Sequence, residues 1–206
     1  MMNTKLKATI TSFQGNSISR ERQDIIKPLI DYIQHKVINN QYIRLNFICT
    51  HNSRRSHLSQ IWAQALAHYF GIKNIACYSG GTEATTVFPV VIDTLINHGF
   101  EIHQLAQSDN PIYSIKYAIN EPAIIGFSKT YDDTFNPESE FAAILTCSQA
   151  DVGCPFIAGA EQRIPITYED PKAFDSSPLQ KEKYLDRSLQ IASELFYVFS
   201  QIRTND

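Results

Sequence analysis

The chain has 206 residues, 43% of them hydrophobic and 19% charged, which suffices for one compact domain with a sizeable core and lies outside the composition of a disordered segment. A net charge of −3 and a pI near 6.1 take nucleic acid and membrane surfaces off the expected partners, so any positive potential for an anionic substrate has to be local. No apolar run approaches the ~20 residues that span a bilayer, and the opening MMNTKLKATITSF has no apolar stretch leading to a cleavage site, so a cytoplasmic location is expected.

In chain order, residues 1–16 read as a loose arm or edge segment. Ser19 predicts an N-cap, followed by Ile25, Ile26, Leu29, Ile30, Ile33 and Val37 at helical spacing, with Asn39 and Asn40 as the stop. Tyr42–Cys49 reads as an apolar strand that ends in a polar turn. A helix is expected from Ser56 to Tyr69, then a short strand at Asn74–Tyr78 closed by Ser79-Gly80-Gly81. Pro89–Asn97 predicts a third helix stopped by Gly99, and Glu101–Gln104 a brief extended piece. Residues 110–140, with Pro111, Pro122 and Pro137 and β-rich patches at Ile112–Ile119 and Ala123–Tyr131, read as an inserted hairpin or loop. Phe141–Cys147 is a buried-type strand, 148–176 a loop region with a strand at Arg163–Thr167, and Leu179–Ile202 the last helix. Its inner face is read as Tyr184, Leu185, Leu189, Ile191, Ala192, Leu195, Phe196 and Phe199. Alternating strands and helices predict a single α/β domain, residues 1–206, arranged as a three-layer sandwich on a short, mainly parallel sheet. Residues 1–40 form an N-terminal extension with a helix.

The strongest signal is Cys49-Thr50-His51-Asn52-Ser53-Arg54-Arg55-Ser56, a C-x5-R-S spacing between a strand and a helix. Unpaired N–H groups at a helix N-terminus, with those of the loop before it, bind anions, and the same field favours thiolate over thiol at Cys49. Arg55 can return to the loop and grip two oxygens of a tetrahedral anion, and Ser56 can hydrogen-bond the thiolate. Asn52 can tie the loop into shape. Arg54 reads as a solvated loop residue or a rim charge that attracts anions, and His51 first as a loop side chain, with a place facing the pocket as the alternative. Of the other cysteines, Cys77 reads as a small core residue. Cys147 and Cys154, seven positions apart, are on the residues alone better read as packing residues, one at a strand end and one in a loop. A metal centre is the weaker reading, because there is no CxxC pair and the six histidines lack ligand spacing.

Phe47-Ile48 with Cys49–Ser56 resembles the phosphate-binding loop of the low-molecular-weight tyrosine phosphatase superfamily, in wording nearest to its thioredoxin-coupled arsenate reductase branch. The resemblance continues through Tyr78–Glu83 and Val87-Phe88-Pro89, resumes at Leu145-Thr146-Cys147 and runs to Asp170-Pro171. It implies Cys49 as nucleophile on arsenate or a phosphate-like oxyanion, residues 50–56 as the binding loop and Arg55 as the anion clamp. It further implies Cys147 and Cys154 as a redox pair, with Pro155 following as in that branch, and Asp170 as general acid; on the residues alone, Asp170-Pro171 is equally an ordinary turn. Cys154 would then have to move inward on a mobile loop, for which Gly153 and Gly159 supply freedom. No cofactor is required; a thioredoxin-like reductant is the implied partner of a reductase. A candidate potassium site near Asn52 and Ser79 also follows, with Asp109 within one residue of the carboxylate it would need.

Two departures are visible: Gln60 stands where the superfamily usually has Glu, and Arg54 where the reductases often have another Cys. Tyr113, Tyr117, Tyr131 and Tyr168 could supply a wall for phosphotyrosine, but they read equally as surface tyrosines, and Trp62 reads as a packing residue. Three functions follow in order: arsenate reduction, phosphomonoester hydrolysis through a Cys49 phosphothiolate, and non-catalytic oxyanion or phosphoprotein binding.

Overall fold

The structure, a computed structural model, describes residues 1–154 and 156–204; Pro155 lies outside the described residues. Helices α1 (Thr4–Thr11) and α2 (Arg20–Ile38) precede β1 (Ile43–Cys49), α3 (Arg55–Tyr69), β2 (Ile75–Gly81) and α4 (Pro89–His98). Then come β3 (Glu101–Ala106), β4 (Ile112–Lys116), β5 (Ile124–Gly126), β6 (Phe141–Leu145), α5 (Ser148–Gly153), β7 (Ala160–Pro165), a 3-10 turn at Pro171–Phe174 and α6 (Gln180–Ser200).

Strands β2-β1-β6-β7 form one sheet in that order, every neighbouring pair parallel. Its two central strands, β1 and β6, are buried almost throughout, as strands covered on both faces require. The period of two is visible in β6: Ala142 and Ile144 join the larger core, while Phe141, Ala143 and Leu145 join a smaller one. In β1, Ile43, Leu45 and Phe47 face the larger core and Ile48 the smaller. The larger face is covered by α2, α3, α4 and α6 through side chains such as Leu29, Trp62, Leu95 and Ile191. The smaller is covered by α5 and Tyr131. This is the expected α/β sandwich, with β1 central and the Cys49 loop at its carboxyl end, where open α/β sheets bind ligands. A second, antiparallel sheet, β3-β4-β5, contains the strands of the 110–140 region.

Several local expectations are corrected. Residues 4–11 are a helix, not a loose arm; Asn3 caps it by accepting from the Lys5 amide at 3.0 Å, and Leu6 and Ile10 are fully buried. Ser79-Gly80-Gly81 is not a closing turn but the end of β2, paired with β1 down to Cys49 opposite Gly81. The strand expected through Cys147 stops at Leu145, because Cys147 caps α5 in a stretch read as loop. Strand β7 begins at Ala160, not Arg163. Leu185, expected on the inner face of α6, is 39% exposed.

Candidate active site

The loop between β1 and α3 is held by its carbonyl groups. The Cys49 carbonyl accepts from the Thr82 amide at 3.1 Å, Thr50 from Glu83 at 3.0 Å and Ser53 from Phe88 at 3.0 Å. The hydroxyls of Thr85 and Ser128 both donate to the His51 carbonyl at 3.0 Å. The amides of residues 50–54 donate to no acceptor among the described residues. With the first-turn amides of α3, they form a run of free N–H groups beside Cys49. Asn52 is fully buried with φ 44°, a left-handed conformation that Asn tolerates. It ties the loop in two directions: its Nδ2 donates to Ser56 Oγ at 2.8 Å and its Oδ1 accepts from the Lys129 amide at 2.9 Å. The end of β2 can approach this closely because residue 81 is glycine. A Cβ there would lie 2.6 Å from the Thr50 carbonyl oxygen and 2.7 Å from the Asn52 nitrogen.

Cys49 is 3% exposed and its Sγ is 3.1 Å from Ser56 Oγ. Arg55, the first residue of α3, folds back over the 165–170 segment. Its Nη1 donates to the Tyr168 carbonyl at 2.9 Å and its Nη2 to Asp170 Oδ2 at 2.5 Å, while its buried Nε has no partner among the described residues. The other Asp170 oxygen accepts from the Lys172 amide at 3.0 Å and so caps the 3-10 turn. The clamp and the acid expected from the sequence are thus brought together. Arg54 is corrected: it is no solvated rim charge. Its guanidinium donates to Tyr184 Oη and Asp175, each at 2.6 Å, and lies 4.2 Å from the centre of the Phe88 ring. Only its backbone remains for an anion in the loop.

Cys147 and Cys154 bracket α5. Cys147 is 1% exposed; its sulfur accepts from the Ala150 amide at 3.3 Å as the helix cap and lies 3.4 Å from Thr50 Oγ1. Cys154 ends the helix, its amide donating to the Ala150 carbonyl. Burial raises its thiol pKa, Arg163 opposes this, and nearby Cys147 adds to the rise. Cys154 thus ends a helix where a loop was expected, and it is 7% exposed. With Cys49, Cys147, Ile48 and Ala150 it belongs to one buried apolar cluster. The alternation rule does not predict that three cysteines share the cluster on the thinner face of the sheet.

Beside this cluster opens a cleft of about 790 Å³, lined by His51, Arg55, Cys147, Gln149, Glu169, Asp170, Lys172, Arg187 and Gln190 among others. His51 Nε2 is 3.0 Å from Glu83. Arg187, on α6, does not stand out in the sequence, because nothing in a helical pattern marks which polar residue meets a distant loop. Burial and the neighbouring Arg55 lower its pKa, and Glu169 opposes them. Tyr168 is the one tyrosine of the four on the cleft, and its ring is buried with the Arg22 guanidinium 5.2 Å from its centre. Tyr117 is also buried, so neither is a surface tyrosine.

Behind the loop, Lys129 is 2% exposed. His57, the third residue of α3, is enclosed and 3.4 Å from Ser79 Oγ. Its pKa is lowered to about 3, by burial first and the Lys129 charge second. These groups do not suit potassium: Asn52 has committed its oxygen to the Lys129 amide, Asp109 is exposed, and the buried charge nearby is itself positive. Among the described residues no cluster of three or more His, Cys, Asp or Glu is placed to hold a metal, and no helix is long and apolar enough to cross a membrane.

Residues 44–116 match the family model for low molecular weight phosphotyrosine protein phosphatase. Cys49 to Ser56 fall inside the match; Cys147, Cys154 and Asp170 lie beyond it. No curated protein matches the chain significantly. Among solved structures, a low molecular weight phosphotyrosine phosphatase from Vibrio cholerae O395 is 14% identical, with TM-score 0.51 over 77% of this chain and 94% of the other. An arsenate reductase from Archaeoglobus fulgidus is 16% identical, with TM-score 0.50 over 76% of this chain and 98% of the other. A YwlE mutant from Bacillus subtilis is 14% identical, with TM-score 0.50 over 77% and 97%. At such identities the likeness is one of fold. Together with the family match it supports the superfamily read from the loop.

Proposed function

We propose that the chain is an enzyme of the low-molecular-weight phosphatase superfamily that reduces arsenate to arsenite, with Cys49 as nucleophile and Cys147 and Cys154 as its relay. The observation that carries this reading is that Cys49, Cys147 and Cys154 all belong to one buried apolar cluster at the anion loop. Hydrolysis of a phosphoester needs only the first.

In the proposed sequence the Cys49 thiolate attacks arsenic in a loop of free amides, an As–S bond forms, and hydroxide leaves as water with a proton from Asp170. Cys147 then attacks the Cys49 sulfur. The S–S bond forms as the As–S bond breaks, its electron pair stays on arsenic, and arsenite departs. Cys154 attacks the Cys147 sulfur, returning Cys49 as thiolate and leaving a Cys147–Cys154 disulfide for a thioredoxin-like dithiol to reduce. Cys147 is held in place for its step by the Ala150 amide, which donates to its sulfur.

Hydrolysis of phosphomonoesters is the second reading. It is supported by the family match over the loop, since phosphate and arsenate share shape and charge. Against phosphotyrosine as its substrate stands the cleft lining, polar and charged with its single tyrosine ring buried. One experiment separates the two. Reduced protein is mixed with arsenate, arsenite is counted per chain and the disulfide is mapped; para-nitrophenyl phosphate turnover is measured in parallel. About one arsenite per chain with a Cys147–Cys154 disulfide supports reduction. Turnover of the ester with no arsenite formed assigns the chain to hydrolysis.

A further inference from the structure

We infer that the buried ammonium of Lys129 is the resident cation of the anion loop, standing where the superfamily resemblance implies a free potassium ion. The inference rests on the loop being the anion site and concerns how that loop is charged and held.

The distribution of charge around the loop motivates it. Arg54 is paired with Asp175 at 2.6 Å and Arg55 with Asp170 at 2.5 Å. Lys129 has neither a salt bridge nor a hydrogen bond at Nζ among the described residues. Its ammonium rests on two rings instead, 4.5 Å from the centre of Phe127 and 5.2 Å from that of Phe135, which meet edge to face. Burial lowers its pKa to about 8, opposed by Asp133, so it stays positive at neutral pH. An unpaired charge in such a place is costly unless an opposite charge answers it. The anion loop, whose Asn52 accepts from the Lys129 amide, is built for negative charge.

Backbone geometry joins the two. The Lys129 amide donates to Asn52 Oδ1 and its carbonyl accepts from Gly81, both at 2.9 Å, so the residue is pinned between the left-handed corner of the loop and the end of β2. His57, whose pKa is lowered to about 3 by burial and by the Lys129 charge, is neutral beside it. Lys129 is therefore a positioning residue. It does not touch the oxyanion, but it fixes Asn52 and supplies a constant positive field from beneath.

The test compares potassium with choline at equal ionic strength. The wild-type thermal midpoint is expected to be the same in both, because the cation place is filled; a midpoint raised by potassium over choline overturns the inference. Lys129→Met is expected to weaken inorganic phosphate binding by about tenfold, as loss of one nearby charge would. In Lys129→Ala, which leaves a hole, potassium but not choline is expected to restore part of the binding and to raise the midpoint. Phosphate affinity in Lys129→Met within about twofold of wild type also overturns the inference. If neither variant folds, the wild-type salt comparison decides. If the wild type binds no phosphate, the proposed function fails, and the potassium comparison still tests Lys129 by itself.

Discussion

Arg55 Nη2 and Asp170 Oδ2 are 2.5 Å apart, so the two residues that the proposed function makes clamp and acid hold each other. Under that proposal an oxyanion entering the loop competes with Asp170 for the guanidinium and frees the carboxyl to act as the acid. Asp170→Asn is therefore expected to lower turnover by about 10²–10⁴-fold, the usual worth of a positioned acid. Inorganic phosphate should bind as well as before or more tightly, since an amide competes less for Arg55. Steady-state kinetics with calorimetry of phosphate binding checks both. Parallel loss of turnover and binding would mean that Asp170 only props the clamp.

The two remaining cysteines of the cluster have separable expected effects. Cys147→Ser should abolish arsenite formation and leave hydrolysis of para-nitrophenyl phosphate near wild type. Cys154→Ser should release one arsenite per chain and then stop with a Cys49–Cys147 disulfide, visible by peptide mapping. Continued arsenite release by Cys147→Ser would remove it from the relay.

Arg54 leads into α3 with its guanidinium between Asp175, Tyr184 and Phe88. Asp175→Ala leaves that partly buried charge and the Tyr184 hydroxyl without their acceptor. The expected loss is about 1–3 kcal/mol, read as a lower urea midpoint with unchanged slope. An unchanged midpoint would show that water serves Arg54 equally well.

Acid should destabilise the fold through two neutral, buried histidines. Burial lowers the pKa of His57 to about 3, with Lys129 adding to the effect, and that of His98 to about 4, with Lys5 adding. The unfolded chain takes up protons near pH 6.5, the ordinary histidine value, which the folded chain refuses. Stability is therefore full above that pH and falls as pH drops toward 4 and then 3. The slope is at most ~1.4 kcal/mol per pH unit for each histidine. His98 packs 5.2 Å from Trp62, so His98→Phe keeps an aromatic contact and removes one proton from the balance. Urea titrations between pH 7 and 4 should show a shallower decline in the variant. Equal slopes would place the acid sensitivity elsewhere.

The loop was legible because its residues are contiguous: a strand ending at Cys49, then Arg55 and Ser56 opening a helix, is a local pattern. The helices with periodic apolar faces, α2 and α6, were legible for the same reason. Helix α1 was not, since it shows the core only Leu6 and Ile10 in a polar stretch and depends on an Asn cap. Nor was α5, which is capped by a cysteine sulfur where Ser or Asp would have signalled a start. Lys129 and Arg187 lie 80 and 138 positions from Cys49 and reach the site only through the packing of β2 and α6. Local sequence carries no trace of that.

Helix α5 has a thiol at each end and six residues between them. Seven steps along a helix separate its ends by about 10 Å, whereas a disulfide needs Cα atoms about 4.4–6.8 Å apart. Under the proposed relay, joining Cys147 to Cys154 would therefore unwind the segment, and the oxidised molecule would differ in outline from the reduced one. A protein that delivers electrons could distinguish the two by shape alone, docking on the unravelled form and letting go once the coil has re-formed.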